Sequence, residues 1–121
     1  MLVVFCLVFS IAKGQKMLNV TTFGADSTGK RDATTPIQRA IENANPKEKT
    51  IIFFPKGTYM LGSVTPTRNY LENYILRLHD NLEFRGEGDK SVLRIRDHLF
   101  DNDDTASNAH LFYGRENANI R

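Results

Sequence analysis

The sequence predicts an all-β solenoid with an α-helix at one end, and three observations carry that prediction. The first is an internal echo. TIIFFPKG (Thr50 to Gly57) and NLEFRGEG (Asn81 to Gly88) share a pattern at an offset of 81 − 50 = 31 residues. Each is an apolar-rich strand and a glycine corner, followed by a second short strand, TYML in one copy and SVLRI in the other. A strand–corner–strand unit cannot bury its own apolar face, and stacking on copies of itself solves this. The second observation is that Ile51, Ile52, Phe53 and Phe54 are apolar without a break, the mark of a strand covered on both faces. The Pro-Lys-Gly corner after it turns the chain without the Asn-Gly or Asp-Gly signal of a hairpin. The third is a single amphipathic helix, the kind of element that closes the end of a stack. An α+β domain with an antiparallel sheet accommodates the same elements, and two copies of a repeat do not separate the two architectures.

Taken in order, the elements begin with a segment of different composition, MLVVFCLVFSIAKGQ. Leu2 to Ile11 is almost entirely apolar, and Ala12-Lys13-Gly14 offers small residues at the positions a signal peptidase reads. About ten apolar residues are too few to span a bilayer, which takes roughly 20. Residues 1–14 are therefore read as a secretory signal, although no Lys or Arg follows Met1. The mature chain is expected to be secreted, extracellular or periplasmic, with no membrane association after cleavage. Cys6 is the only cysteine and falls within this segment, so the mature protein relies on packing rather than a disulfide.

Leu18 to Phe23 (LNVTTF) reads as a strand ending at Gly24, and Ala25 to Asp32 as a polar loop hinged at Gly29. Thr35 then offers an N-cap, Pro36 a first helical position and Gln38 the end of a Thr-x-x-Gln capping box. Ile37, Ala40, Ile41 and Ala44 follow at the spacing of one apolar face, and Asn45-Pro46 ends a helix of about ten residues. Thr50 to Phe54 and Thr58 to Leu61 are strands on either side of the corner. Gly62 to Asn73 is polar and irregular. Tyr74 to Leu78, Leu82 to Arg85 and Ser91 to Ile95 read as further strands. His98 to Ala109 is a polar loop, and Leu111-Phe112-Tyr113 starts a last apolar run. The echo stacks Phe53 on Phe84 and Ile51 on Leu82, with Glu83 and Arg85 pointing out. Because Ile52 and Phe54 are apolar where the second copy has Glu83 and Arg85, LNVTTF or its neighbours are expected to cover the outside of the first coil.

The chain carries a net charge of +2 and no run of Lys or Arg, which excludes the electrostatic footprint of a nucleic-acid binder. Its 121 residues suit one domain.

The segments NVTTFGADSTGKRDATTPIQRAI, IIFFPKGTY, NLEFRGEG and SVLRI resemble the N-terminal region of the pectate lyase superfamily, which includes polygalacturonases, rhamnogalacturonase-like proteins and epimerases. The matching positions include Phe23, Gly24, Gly29, Asp32, Gln38, Pro55, Gly57, Tyr59, Gly86 and Gly88. Ala33 departs from the second acid usual after Asp32. The resemblance implies a right-handed parallel β-helix, of which residues 15–121 are the first coils, truncated at the C-terminus. It implies a polysaccharide partner, with an acidic, uronate-containing one favoured. No cofactor is implied, except Ca²⁺ if the whole protein is a lyase. No catalytic motif of the family matches, so catalytic residues are expected beyond residue 121. Ile120-Arg121 is expected to begin a further coil, and residues 15–121 alone are expected to be inactive and poorly soluble.

Candidate site residues follow from chemistry. Arg85 and Arg94 are the candidates for substrate binding, since a guanidinium pairs with a uronate carboxylate in a two-pronged geometry. Asp101-Asn102-Asp103-Asp104 is the one dense acidic cluster, read as a solvated loop because it lacks the glycine and distal Glu of an EF-hand. His79, His98 and His110 show no metal spacing, and Tyr59 reads as core or corner packing rather than a sugar platform.

Overall fold

The computed structural model describes residues 16–69, 72–100 and 109–114. Within them lie β1 (Lys16–Asn19), β2 (Thr28–Asp32), α1 (Thr34–Asn43), β3 (Thr50–Phe54), β4 (Gly57–Leu61), β5 (Tyr74–Arg77), β6 (Leu82–Gly86), β7 (Ser91–Ile95) and β8 (His110–Tyr113). The strands fall into three sheets, ordered β1-β3-β6, β2-β4-β7 and β5-β8. Every strand pairing in these sheets is parallel. Consecutive strands lie in different sheets, and each sheet gains one strand per turn of the chain, which is the topology of a parallel β-helix. The antiparallel alternative is thereby set aside.

The three turns are β1–β2–α1, β3–β4–β5 and β6–β7–β8, so the helix takes the third side of the first coil. Its apolar stripe enters the core, with Ile37, Ala40 and Ile41 fully buried and Ala44 nearly so. The stripe alone does not hold it there. The Gln38 amide lies against the backbone of Arg77: Oε1 accepts from the Arg77 N–H at 2.8 Å and Nε2 donates to its carbonyl at 3.0 Å. One side chain thus stands in for a neighbouring strand on the upper edge of β5. The capping-box expectation is corrected accordingly. The N-cap is Ala33, without a side-chain cap bond, and Asp32 supplies the acceptor instead, taking the Thr34 N–H at 2.9 Å. A carboxylate at that end also suits the helix dipole.

The coil register differs from the echo by one residue. β3 pairs with β6 as Thr50↔Leu82, Ile51↔Glu83, Ile52↔Phe84 and Phe53↔Arg85, an offset of 82 − 50 = 32. The inward column is therefore Leu18, Ile52, Phe84, not Phe53 over Phe84. Leu82 and Phe84 do point in and Glu83 and Arg85 out, as expected. Only the corners keep the offset of 31: the Glu87 carboxylate accepts from the Lys56 N–H one coil above. Two extra residues between β6 and β7 are absorbed in a 3-10 turn, Gly88–Lys90, so β4 and β7 pair at an offset of 34 as Gly57↔Ser91.

LNVTTF does not lie over the outside of β3. Its start belongs to β1, which adds to the top edge of the same sheet, and Val20–Phe23 forms a 3-10 turn that buries Val20. Ile51 is nonetheless only 4% exposed. The supposed polar loop contains β2, which pairs with β4 through a register shift. Gly57 answers why the apolar run breaks where it does. At φ +151° a Cβ there would sit 2.5 Å from the Ser27 carbonyl oxygen, the same oxygen that accepts the Thr58 N–H at 2.8 Å.

Burial falls from top to bottom. Ile52, Tyr59 and Leu61 are fully buried, whereas Phe84, Leu93 and Ile95 of the last coil are partly buried against the core. Phe112 remains 43% exposed.

Candidate functional site

The outward faces of the first two sheets carry both arginines singled out in the sequence. Arg85 sits near the end of β6, where alternation turns it away from Phe84. Its Nη2 lies 2.9 and 3.0 Å from the two carboxylate oxygens of Glu83, two residues back on the same strand. Both side chains are solvent-accessible, so the pair is open to exchange with an external carboxylate or hydroxyl. Arg94 lies on β7, opposite Met60, and its Nη2 donates to the Gly29 carbonyl at 3.0 Å. That bond clamps β2 of the first coil to β7 of the last. The two arginines therefore sit on different sheets, each with its own partner.

A cleft of about 390 Å³ opens at the corner between β6 and β7. Phe54, Tyr59, Phe84 and Leu93 form its apolar wall, and Arg85 stands on its border. Tyr59 is fully buried and donates to the Pro55 carbonyl at 2.6 Å. Its ring meets Phe54 edge-on at 5.5 Å, so packing is its role. Burial first, and then the charge of Glu87, push its phenol upward.

The other candidates separate. Residues 101–108, and with them the acidic cluster, lie outside the described residues. His79 sets its two ring nitrogens 2.8 Å from the carbonyls of Ile41 and Asp80, a structural tie between helix and turn. His110 lies beside Tyr113, with centroids 6.3 Å apart, and His98 adopts φ +63°. Among the described residues no group of three or more His, Cys, Asp or Glu is arranged to hold a metal ion.

Two polar centres and one aromatic pair escaped the sequence reading. The Asp32 carboxylate takes hydrogen bonds from the Thr34 N–H and hydroxyl, from the Gly62 N–H at 3.0 Å, and from the Ser63 hydroxyl. It ties the helix start to the end of β4. Burial alone would raise its pKa, but the Ser63, Thr34 and Gly62 donors outweigh burial and hold it below the ordinary value. Asp26 does the same for its own loop, accepting from Thr28, Lys30 and Arg31. The Arg31 N–H first, then the Thr28 hydroxyl, lower it to about 2. The local signals were present in Asp26-Ser-Thr and Asp32-Ala-Thr, where an acid precedes a hydroxyl residue by two. The aromatic pair is Tyr74 and Tyr113, stacked at 5.9 Å with 19° between planes.

Comparison with known proteins follows the same lines. The family model for rhamnogalacturonase A/epimerase, pectate lyase-like proteins matches residues 17–120. The A-module of the Azotobacter vinelandii mannuronan C-5 epimerase AlgE6 is 29% identical over 65% of this chain and 20% of that structure, with a TM-score of 0.56. The Yersinia enterocolitica family 28 exopolygalacturonase is 27% identical over 60% of this chain and 10% of that one, at 0.46. The catalytic unit of a GH87 α-1,3-glucanase from Streptomyces thermodiastaticus is 22% identical over 88% of this chain and 18% of its own, at 0.48. No curated protein sequence matches. The chain thus spans a fifth or less of these three structures. A parallel coil capped by a helix, with the family model matching over nearly its whole length, leaves one conclusion: this chain belongs to the rhamnogalacturonase A/epimerase, pectate lyase-like family.

Proposed function

We propose that this chain is the N-terminal part of a secreted, polysaccharide-acting β-helix protein whose substrate contains uronate, cleaved by hydrolysis or by β-elimination. The observation that carries the reading is the family match over residues 17–120. The likeness to a mannuronan epimerase module supports a uronate substrate. The Arg85–Glu83 pair on the open outer face is a suitable first contact, since a uronate carboxylate can take the guanidinium that Glu83 now holds. Arg94, bonded to Gly29, contributes position more than binding. Catalytic groups are proposed to lie on later coils, with Ca²⁺ needed only if the chemistry is elimination.

A non-catalytic glycan-binding surface protein is the second reading. It is favoured by the stacked Tyr74–Tyr113 pair, because flat aromatic faces with polar tips suit sugar rings.

The test begins with the native start. The product expressed from the full gene should leave the cytoplasm with its N-terminus at Gln15 or Lys16. Incubated with polygalacturonate, alginate and a neutral glucan, it should release new reducing ends from the uronate polymers, with unsaturated ends if it is a lyase. Retention of Met1 on a cytoplasmic product would remove secretion from the proposal. Binding without cleavage of any polymer would favour the second reading.

A further inference from the structure

Asn19-Val20-Thr21 is the one Asn-x-Ser/Thr triplet in the sequence, and its middle residue is not proline. An asparagine in that setting accepts an N-linked oligosaccharide where its side chain is at the surface and the chain is secreted. The triplet lies beyond residues 1–14, so it stays with the chain after the cleavage expected there.

The fold turns this side chain outward. Asn19 ends β1 in register with Phe53, which is in register with Arg85. The column Leu18, Ile52, Phe84 points into the core, so alternation sets Asn19, Phe53 and Arg85 on the outer face. Asn19 is half-buried there and Thr21 is exposed. The Asn19 Oδ1 accepts the Thr21 N–H at 2.9 Å and the Thr21 hydroxyl at 2.7 Å, which caps the 3-10 turn Val20–Phe23. Both bonds go to the oxygen and leave Nδ2 without a partner among the described residues. Two donors on Oδ1 also draw electron density toward oxygen, which makes a proton on Nδ2 easier to lose.

The surroundings give a bulky group both room and use. β1 is the end strand of its sheet, so among the described residues one row of its backbone groups has no strand beside it. Met17, two residues before Asn19 on the same outer face, is 49% exposed. An open strand edge next to an exposed apolar side chain invites pairing with another chain.

We propose that Asn19 is an N-glycosylation site, and that its glycan stands over the open edge of β1 and shields it. The proposal rests on the secreted reading given above and adds to it a modification of the chain's own surface. The donor is a lipid-pyrophosphate-linked oligosaccharide, and the catalyst is an oligosaccharyltransferase of the secretory compartment. Nδ2 attacks C1 of the first sugar, and the N–C bond forms as the bond from C1 to the pyrophosphate oxygen breaks. Nδ2 gives up one proton, and the lipid pyrophosphate leaves with the bonding electron pair. Oδ1 is untouched, so the cap survives the modification.

Mass spectrometry of the product secreted from the full gene should find the peptide holding Asn19 glycosylated on most chains. Peptide-N-glycosidase should release the glycan and leave an aspartate at that position. Thr21→Ser should keep the glycan, and Thr21→Ala should lose it. Asn19→Asp should also lose it while retaining an oxygen for the cap, so light scattering on this variant reads the missing glycan rather than a broken turn. It should self-associate at lower concentration than the glycosylated chain, and equal association would remove the shielding role. A secreted product bare at Asn19 would overturn the site. Translation of the full chain with microsomes, behind the signal of an established secreted protein, separates the site from secretion. Glycosylation there, with the native-start product kept in the cytoplasm, would support the site and remove secretion. A translocated chain that stays bare would overturn the site.

Discussion

At the scale of single residues, the fold is pinned by carboxylates rather than by apolar contacts alone. Asp26 and Asp32 each gather donors from backbone and hydroxyl groups, and both are bound as anions. A group whose folded pKa lies below its unfolded value adds stability above the unfolded value and loses it as pH falls through the folded one. For Asp26 that window runs from 3.8 down to about 2. Thermal unfolding followed across this range should show Tm falling as the medium is acidified. Asp26→Asn should flatten part of that slope while lowering Tm at neutral pH. An unchanged slope would mean that the loop is not held by the carboxylate. Asp32 is coupled to the helix start as well as to β4, so Asp32→Ala should loosen both ends of the first coil together. Asp32 is half-buried, and taking the shared acceptor from its partly buried donors costs about 1–3 kcal/mol, measurable by urea denaturation. A loss confined to a few tenths would reduce Asp32 to a surface acid.

At the scale of elements, the one-residue difference in register explains what the sequence could and could not show. A side-chain period of two makes register legible where apolar and polar residues alternate. β6 alternates, and the inward places of Leu82 and Phe84 were legible from LEFR. β3 does not, because Thr50–Phe54 is buried or nearly so throughout, so its faces carry no label and the echo settled on the glycine corners. Those corners do stack at an offset of 31, through Lys56 and Glu87, while the strands stack at 32 and 34. The helix was legible to its length because its stripe and its Asn45-Pro46 stop are local. The role of Gln38 was not, since its partner Arg77 is 39 residues away. β2 was hidden for a different reason: TGKRD is mostly exposed, and its pairing with β4 is visible only in three dimensions. Of the candidate site, the outward direction of Arg85 was legible, whereas its pairing with Glu83 and the Arg94–Gly29 bond were not. The register has a direct energetic consequence. Ile52→Ala should cost about 2–5 kcal/mol, as for other fully buried aliphatic residues. Glu83→Ala should change stability by about 1 kcal/mol or less, the usual range for an exposed ion pair. Chemical denaturation of the two variants side by side separates them, and equal losses would place Ile52 on the surface.

At the scale of the whole molecule, the described residues form stacked parallel coils with a helix on the third side of the first coil. Everything functional follows from that geometry: the outward face with Arg85, the cleft at the β6–β7 corner, and the family to which the coil belongs. Nuclear Overhauser contacts between side chains test it most directly, in solution or by the equivalent solid-state experiment on assembled material. Neighbouring strands lie roughly 4.8 Å apart, so inward residues in register must be in contact. The account predicts cross-peaks from the Ile52 methyls to both Leu18 and the Phe84 ring. Cross-peaks from Phe53 to Phe84 and from Ile51 to Leu82, with none from Ile52 to Phe84, would contradict it.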